Sequence, residues 1–254
     1  MNADLFGQTP DSLSIDIIRQ FCPPEGYWLA FSGGKDSVVL FDLAERAGVS
    51  FEAHYSVTTI DPPEVLRFIR DEYHGRVQWD KPRLSFFRLM RSKGLPFRSA
   101  RWCCEHLKER GGEGRIVLTG VRAEESPTRA RYGIVRPCRR AGSNKTLVNP
   151  MLHWTSAHVW QYIRERELSY CELYDQGWTR IGCILCPFEM HPEKAMARWP
   201  RPFARALQVV RETWPTRPRW HELWESPDAM FAYWMDRRAT YPDADDAQGE
   251  LMFT

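Results

Sequence analysis

One ten-residue segment constrains this chain more than any other: Trp28-Leu-Ala-Phe-Ser-Gly-Gly-Lys-Asp-Ser37. It starts in a short apolar run, Tyr27 to Phe31, that reads as a strand. It leads into Ser37 to Ala47, whose apolar positions at 38–41, 43, 44 and 47, with Gly48 as a stop, read as a buried helix. A strand that turns into a helix across two glycines suits an anion. Gly33 and Gly34 open backbone conformations closed to other residues, consecutive N–H groups can then face inward, and the helix adds the positive end of its dipole. Lys35 brings a full charge, and Ser32 and Ser37 bring hydroxyls. Asp36 is out of place in a purely anion-binding loop and fits either a Mg²⁺ ligand or a helix-capping residue. The spacing is not GxxxxGK[ST], so a Walker A loop is excluded, and an ordinary glycine-rich strand–helix turn is the bland alternative.

The segments that follow repeat the alternation. Phe51 to Ile60 is β-branched and aromatic and predicts a second strand. Asp61-Pro-Pro-Glu64 predicts a helix start, with Asp61 as N-cap and Glu64 closing a capping box. Val77 to Trp79 predicts a third strand, 84–93 and 102–110 helical stretches, and Arg115 to Val121 another strand. Strands spaced by helices imply an α/β fold, a parallel sheet flanked by helices, with ligands at the carboxyl ends of the strands. After Leu152 the pattern turns helical and Trp-rich, with helices expected at Ser156–Arg166, Pro192–Thr213 (interrupted near Pro200 and Pro202) and Pro227–Arg238. Most of the tryptophans there are expected in a core, with nucleic-acid stacking open for one or two.

Composition bounds the class. At 254 residues, 43% hydrophobic and 27% charged, the chain is long enough for a full core without disulfides. No apolar run approaches a membrane span and no secretory leader is visible, so a cytoplasmic enzyme is the expectation. The net charge of +2 excludes a histone-like binder. The basic residues are nonetheless nearly all arginine, which suits bidentate phosphate contacts and equally reflects a GC-rich genome. Between Arg122 and Lys145, Arg122, Arg129, Arg131, Arg136, Arg139, Arg140 and Lys145 face only Glu124 and Glu125. Such a stretch fits either a phosphate-backbone track or a solvated loop.

Seven cysteines, an odd number without a leader, argue for metal or redox chemistry rather than a disulfide framework. Cys103 and Cys104 are adjacent, and Cys183 and Cys186 form C-x-x-C. Two separated pairs give four thiolates, enough for zinc or an iron–sulfur cluster. Cys138 is an extra thiol, a sulfur carrier or inert.

Beyond the residues themselves lies a resemblance. Ser32–Ser37 matches SGGxDS, the loop of the PP-loop ATP pyrophosphatases and sulfonucleotide reductases. Thr119-Gly-Val-Arg-Ala-Glu-Glu-Ser126 with Arg129 resembles G-x-R-x-x-x-S-x-x-R of the phosphoadenosine phosphosulfate (PAPS) reductase family. Asn149–Trp154 with Val159, Trp160, Tyr162 and Ile163, and then Tyr174-Asp175, Gly177 and Ile181-Gly-Cys183, extend it over about 28–188. His158 stands where the family pattern has Asp.

The resemblance implies an adenine nucleotide alpha-hydrolase-like fold. It divides the chain into a nucleotide-binding domain at 1–188 and a helical extension at 189–254. It places Ser32, Gly33, Gly34, Lys35, Asp36, Ser37 and Gly120 at the phosphates or sulfate of ATP or a sulfonucleotide, with Arg122 and Arg129 opposite and Lys35, Asp36 and Arg122 catalytic. Adenylyl-sulfate (APS) reductases pair Cys-Cys with C-x-x-C at about this separation, which implies a 4Fe-4S cluster on Cys103, Cys104, Cys183 and Cys186. The expected function is ATP cleavage between the α and β phosphates with Mg²⁺, activating a nucleic acid for sulfur transfer from a cysteine-desulfurase-type donor. The alternatives are a sulfonucleotide reductase, against which the lack of a cysteine after Cys186 argues, and a non-catalytic nucleotide or redox sensor, against which the intact Lys35 and Asp36 argue.

Overall fold

The computed structural model describes residues 9–138 and 143–236. Its strands are β1 (Tyr27–Phe31), β2 (Phe51–Ser56), β3 (Val77–Asp80), β4 (Ile116–Leu118), β5 (Val135–Pro137) and β6 (Thr146–Val148). Its helices are α1 (Pro10–Gln20), α2 (Lys35–Ala47), α3 (Pro63–Glu72), α4 (Phe86–Lys93), α5 (Ser156–Glu165), α6 (Pro192–Arg198), α7 (Pro200–Thr213), α8 (Pro218–Leu223) and α9 (Pro227–Met235). The chain divides into two units. The first takes the chain up to Ser56, Pro63–Asp80 and Gly111–Ile181, and the second takes Val57–Pro62, Lys81–Arg110 and the chain from Gly182 on. The second unit thus takes two segments, Val57–Pro62 and Lys81–Arg110, from within the 1–188 stretch.

In the first unit the six strands form one sheet in the order β3-β2-β1-β4-β6-β5. β1 pairs in parallel with β2, Tyr27 opposite Phe51 through Phe31 opposite Tyr55, and with β4, Trp28 opposite Val117. The order steps outward from β1 to β3 and then resumes on the other side at β4. The carboxyl end of β1 is therefore a topological switch point, where ligands of open α/β sheets bind. The wholly parallel sheet expected from sequence is corrected at one edge: β5 runs antiparallel to β6, Val135 opposite Val148. The two strands are joined by a short connection, which can reverse the chain but cannot make the crossover that parallel neighbours need.

The core of this unit is aromatic. Tyr27, Leu29 and Phe31 alternate inward from β1, and Tyr73 lies 4.6 Å from Phe31 and 5.1 Å from Phe41 between ring centroids. Each such buried side chain contributes about 1.5–3 kcal/mol. α1 and α5 both pack on α2. Tyr162 ties them together: its hydroxyl donates to Asp42 and accepts from Arg46 at 2.8 Å, while Arg46 also pairs with Asp11 at 2.9 Å. α2 stops at Gly48, in the left-handed region at φ 70°, as expected.

In the second unit α7 packs against α4, α6 and α9. Gly94 (φ 75°) leaves room for Trp220, whose Cζ2 would lie 2.7 Å from a Cβ there. Trp224 stacks on Phe97 at 6.2 Å, and Trp234 Nε1 donates to Pro96 O at 2.7 Å. The turn at 94–97 is thus the seat of the C-terminal tryptophans, which explains why 81–110 belongs to this unit. Trp220, Trp224 and Trp234 are buried, as expected of a core. The helical stretch 192–213 is interrupted as expected, at Trp199 just before Pro200, and forms two helices. The end of the expected helix 227–238 lies outside the described residues, as do Arg139 and Arg140. No helix among the described residues is long and apolar enough to cross a membrane.

Candidate functional site

The loop after β1 has the geometry the glycines require. Gly33 sits at φ 70°, and a Cβ there would lie 2.9 Å from Ile69 Cδ1, so both conformation and space exclude a side chain. Gly34 is the N-cap of α2 and supplies no side-chain cap. Ser37 closes the loop internally: its hydroxyl donates to Gly34 O at 2.8 Å and accepts from Ser32 N at 3.2 Å. Gly120, after β4, would bring a Cβ within 3.1 Å of Asp36 O, so it permits the close approach of the two segments.

The charges around the loop form a chain. Lys35 is buried, and its Nζ lies 3.1 Å from Asp36 Oδ2. The other oxygen, Asp36 Oδ1, accepts from Arg122 Nε at 2.7 Å. Arg122, also buried, pairs through Nη1 with Glu124 at 2.6 Å and donates to Trp154 O at 3.3 Å. Glu124 is held below the usual carboxylate range by Arg122 and then by the Ser156 N–H. Arg129 pairs with Glu125, which also accepts from Arg122 N at 2.9 Å.

The structure therefore gathers Ser32–Ser37, Gly120 and Arg122 and holds Arg129 next to them through Glu125. It gives both arginines carboxylate partners. Asp36 sits in the first turn of α2 and caps nothing. With both oxygens already bonded to cations, it does not fit a Mg²⁺ ligand as it stands. Asp61, expected as an N-cap, turns both oxygens back to Thr58, at 2.8 Å from its N and 2.7 Å from its Oγ1, and α3 begins at Pro63. His158 takes the third position of a capping box with Thr155, a role open to any side chain with a suitable acceptor.

Sequence reasoning missed three contributors. Glu124 and Glu125 entered only as counter-charges. Tyr174 entered only as part of a motif, yet its hydroxyl accepts the Lys35 N–H at 2.9 Å, across 139 residues of sequence. Of the arginine-rich stretch, Arg122, Arg129 and Lys145 (with Glu113 at 3.5 Å) are engaged internally, and Arg136 lies 3.9 Å over the Tyr132 ring.

The second unit holds the cysteine pairs. Cys104 opens a single π turn, Cys104–Lys108, a rare form of helix that is frequent at functional sites. Cys103 donates to Cys104. That bond pushes Cys103 up and holds Cys104 below the ordinary thiol range, with Lys108 and Arg101 adding to the lowering. Burial pushes Cys183 up against the pull of Lys108. Lys108 is exposed as a residue, but its ammonium donates to Cys183 and is raised by Cys183, Cys186 and Cys104 in that order.

All four thiols thus act on one another or on one shared cation. They do not close up as ligands of a single ion: among the described residues no three His, Cys, Asp or Glu side chains form such a group. In kind, four thiols are the donor set of a four-iron cluster or of one tetrahedral ion.

Comparison with known proteins agrees with this fold. The phosphoadenosine phosphosulfate reductase domain matches residues 26–189. An uncharacterized protein of Methanocaldococcus jannaschii is 31% identical over 72% of this chain, which spans only 41% of that protein's length. The adenosine 5'-phosphosulfate reductase of Staphylococcus epidermidis is 30% identical over 66% of this chain and 74% of its own. The crystal structure of phosphoadenylyl-sulfate reductase from Candida auris superposes with a TM-score of 0.51 at 18% identity, covering 72% of this chain and 97% of that one. Loop, strand order and family match converge: the chain belongs to the phosphoadenosine phosphosulfate reductase family.

Proposed function

We propose that this chain binds ATP through the Ser32–Ser37 loop and cleaves it between the α and β phosphates, activating a nucleic acid for sulfur transfer. The observation that carries the reading is the loop itself. A buried ammonium, Lys35, stands at a helix start where, among the described residues, the Gly33 and Asp36 N–H groups have no hydrogen-bond partner. Those donors are preorganised for charge that grows on a leaving pyrophosphate. An acceptor oxygen attacks the α-phosphorus, the bond from that phosphorus to the bridging oxygen breaks, and pyrophosphate leaves with the electron pair. As the bond breaks, Lys35 shifts its pairing from Asp36 to the phosphates, and sulfur afterwards displaces AMP from the activated acceptor. Arg122, anchored on Asp36 and Glu124, fixes the segment after β4 against the loop and supplies the second charge.

Cys103, Cys104, Cys183 and Cys186 would hold an iron–sulfur cluster. When bound, it supplies sulfide and redox-active iron. A cysteine-desulfurase-type partner is the corresponding sulfur source.

A second reading, reduction of a sulfonucleotide, is favoured by the 30% identity to the Staphylococcus epidermidis reductase. One assay separates them. Protein purified without oxygen is given ATP, candidate nucleic acids and a sulfur donor, and separately APS or PAPS with thioredoxin. Release of AMP and pyrophosphate in the first arm supports the proposal. Sulfite in the second arm with no pyrophosphate in the first overturns it.

A further inference from the structure

Tyr174 lies in the short turn Glu172–Tyr174, and its side chain reaches the phosphate loop. The hydroxyl accepts the first backbone N–H of α2, from Lys35, at 2.9 Å. A Cβ on Gly34 would stand 3.4 Å from the same oxygen, so glycine at 34 keeps the approach open. The Lys35 ammonium lies 5.7 Å from the centroid of the Tyr174 ring. Trp160 packs edge-on against that ring at 5.1 Å and fixes its orientation. One side chain therefore touches both the backbone and the charge of Lys35.

A phenol that accepts one hydrogen bond still has its own proton to give. Burial pushes the Tyr174 phenol well above its ordinary value, so that proton stays in place across the working range. The hydroxyl meets the loop at Gly34 and Lys35, the two residues flanked in sequence by Gly33 and Asp36, whose N–H groups have no hydrogen-bond partner among the described residues. An anion bound at those N–H groups would adjoin the residues that the hydroxyl touches. Bonds to a charged acceptor are shorter and roughly twice as strong as neutral ones.

We propose that Tyr174 is a phosphate-binding residue of the loop: its oxygen is positioned by the Lys35 N–H, and its proton is donated to a phosphate oxygen of the bound nucleotide. The proposal rests on the reading of Ser32–Ser37 as an adenine-nucleotide site, and it adds the residue that links Lys35 to the ligand. Among the described residues, no other tyrosine hydroxyl accepts an N–H of this loop. The neighbouring Tyr170 hydroxyl donates instead to Asp175 at 3.0 Å.

Calorimetric titration with ATP, AMP and adenosine tests it on the full chain, with near-ultraviolet circular dichroism to confirm that each variant is folded. Tyr174→Phe should weaken ATP and AMP by about tenfold, the size of one charge-assisted bond, and leave adenosine unchanged. Tyr170→Phe should leave all three unchanged. If Tyr174→Phe binds ATP as tightly as the parent chain or more tightly, the hydroxyl is a bystander or a plug, and the proposal falls while the nucleotide site stands. If the parent chain binds neither ATP nor AMP, the nucleotide reading itself falls and takes the proposal with it.

Discussion

Lys35 and Arg122 bring two positive charges into largely dry surroundings, and Asp36 makes that arrangement tolerable. A buried cation without a partner costs several kcal/mol, so both must be paired before any ligand arrives. The pairing also keeps the two side chains in place, which reduces the reorganisation needed when phosphate replaces carboxylate. The same logic applies to His54 on β2. Its ring stacks on Trp28 at 3.3 Å between centroids, Nδ1 lies 3.1 Å from Asp80, and Nε2 is buried without a hydrogen-bond partner. Burial pulls its pKa down, against the opposing pull of Asp80. A depressed pKa means that the unfolded chain takes up the proton first, so stability is fully present above the ordinary histidine value of roughly 6.5 and is lost as pH falls through the folded value. Urea denaturation at pH 7.5 and 5.5 should show a larger loss for the parent chain than for His54→Phe, which keeps the stack and cannot titrate. Equal losses would mean that His54 takes up its proton as readily in the folded chain as in the unfolded one, which contradicts the lowered value.

Among the elements, legibility followed local chemistry. β1 and the stop of α2 at Gly48 could be read because an apolar run and a glycine in the left-handed region need no distant partner. α1 was not predicted, although Thr9 and Ser12 form a capping box and Ile15, Ile17 and Ile18 are buried; its signal is a short stretch beside a polar terminus. Phe51 to Ile60 looked like one strand because its residues are uniformly β-forming. The strand ends at Ser56 because Thr58 bonds to Asp61 and the chain passes to the second unit. The reversed β5 depends on a connection whose length, not composition, sets its direction.

The π turn at Cys104–Lys108 likewise has no compositional signature, yet it places Lys108 against thiols from a segment far away in sequence. If that thiol group holds a cluster, protein prepared without oxygen should carry about four iron and four sulfide per chain. Ser at Cys103, Cys104, Cys183 or Cys186 should remove them, and Ser at Cys171 should not. One stoichiometric zinc, or iron that survives these substitutions, contradicts the assignment.

At the scale of the whole molecule, the sheet could be predicted in kind and the interleaving of the two units could not. A strand–helix alternation shows in sequence because each element has its own period. Which segments share a core is decided by pairings such as Trp220 on Gly94 or Trp234 on Pro96, which carry no local mark. The candidate site divides in the same way. Ser32–Ser37 announces itself through its glycines, whereas the carboxylates that hold Arg122 and the tyrosine that meets Lys35 come from segments that only the fold brings to the loop. The central claim is that this loop is where an adenine nucleotide's phosphates bind. The most direct test is the affinity of ATP for the parent chain and for Lys35→Ala, each shown to be folded. Loss of the buried ammonium should weaken ATP by at least about tenfold, on the order of 1.5–3 kcal/mol for a charged contact, and leave adenosine unaffected. Equal ATP affinity in the two proteins would contradict the account.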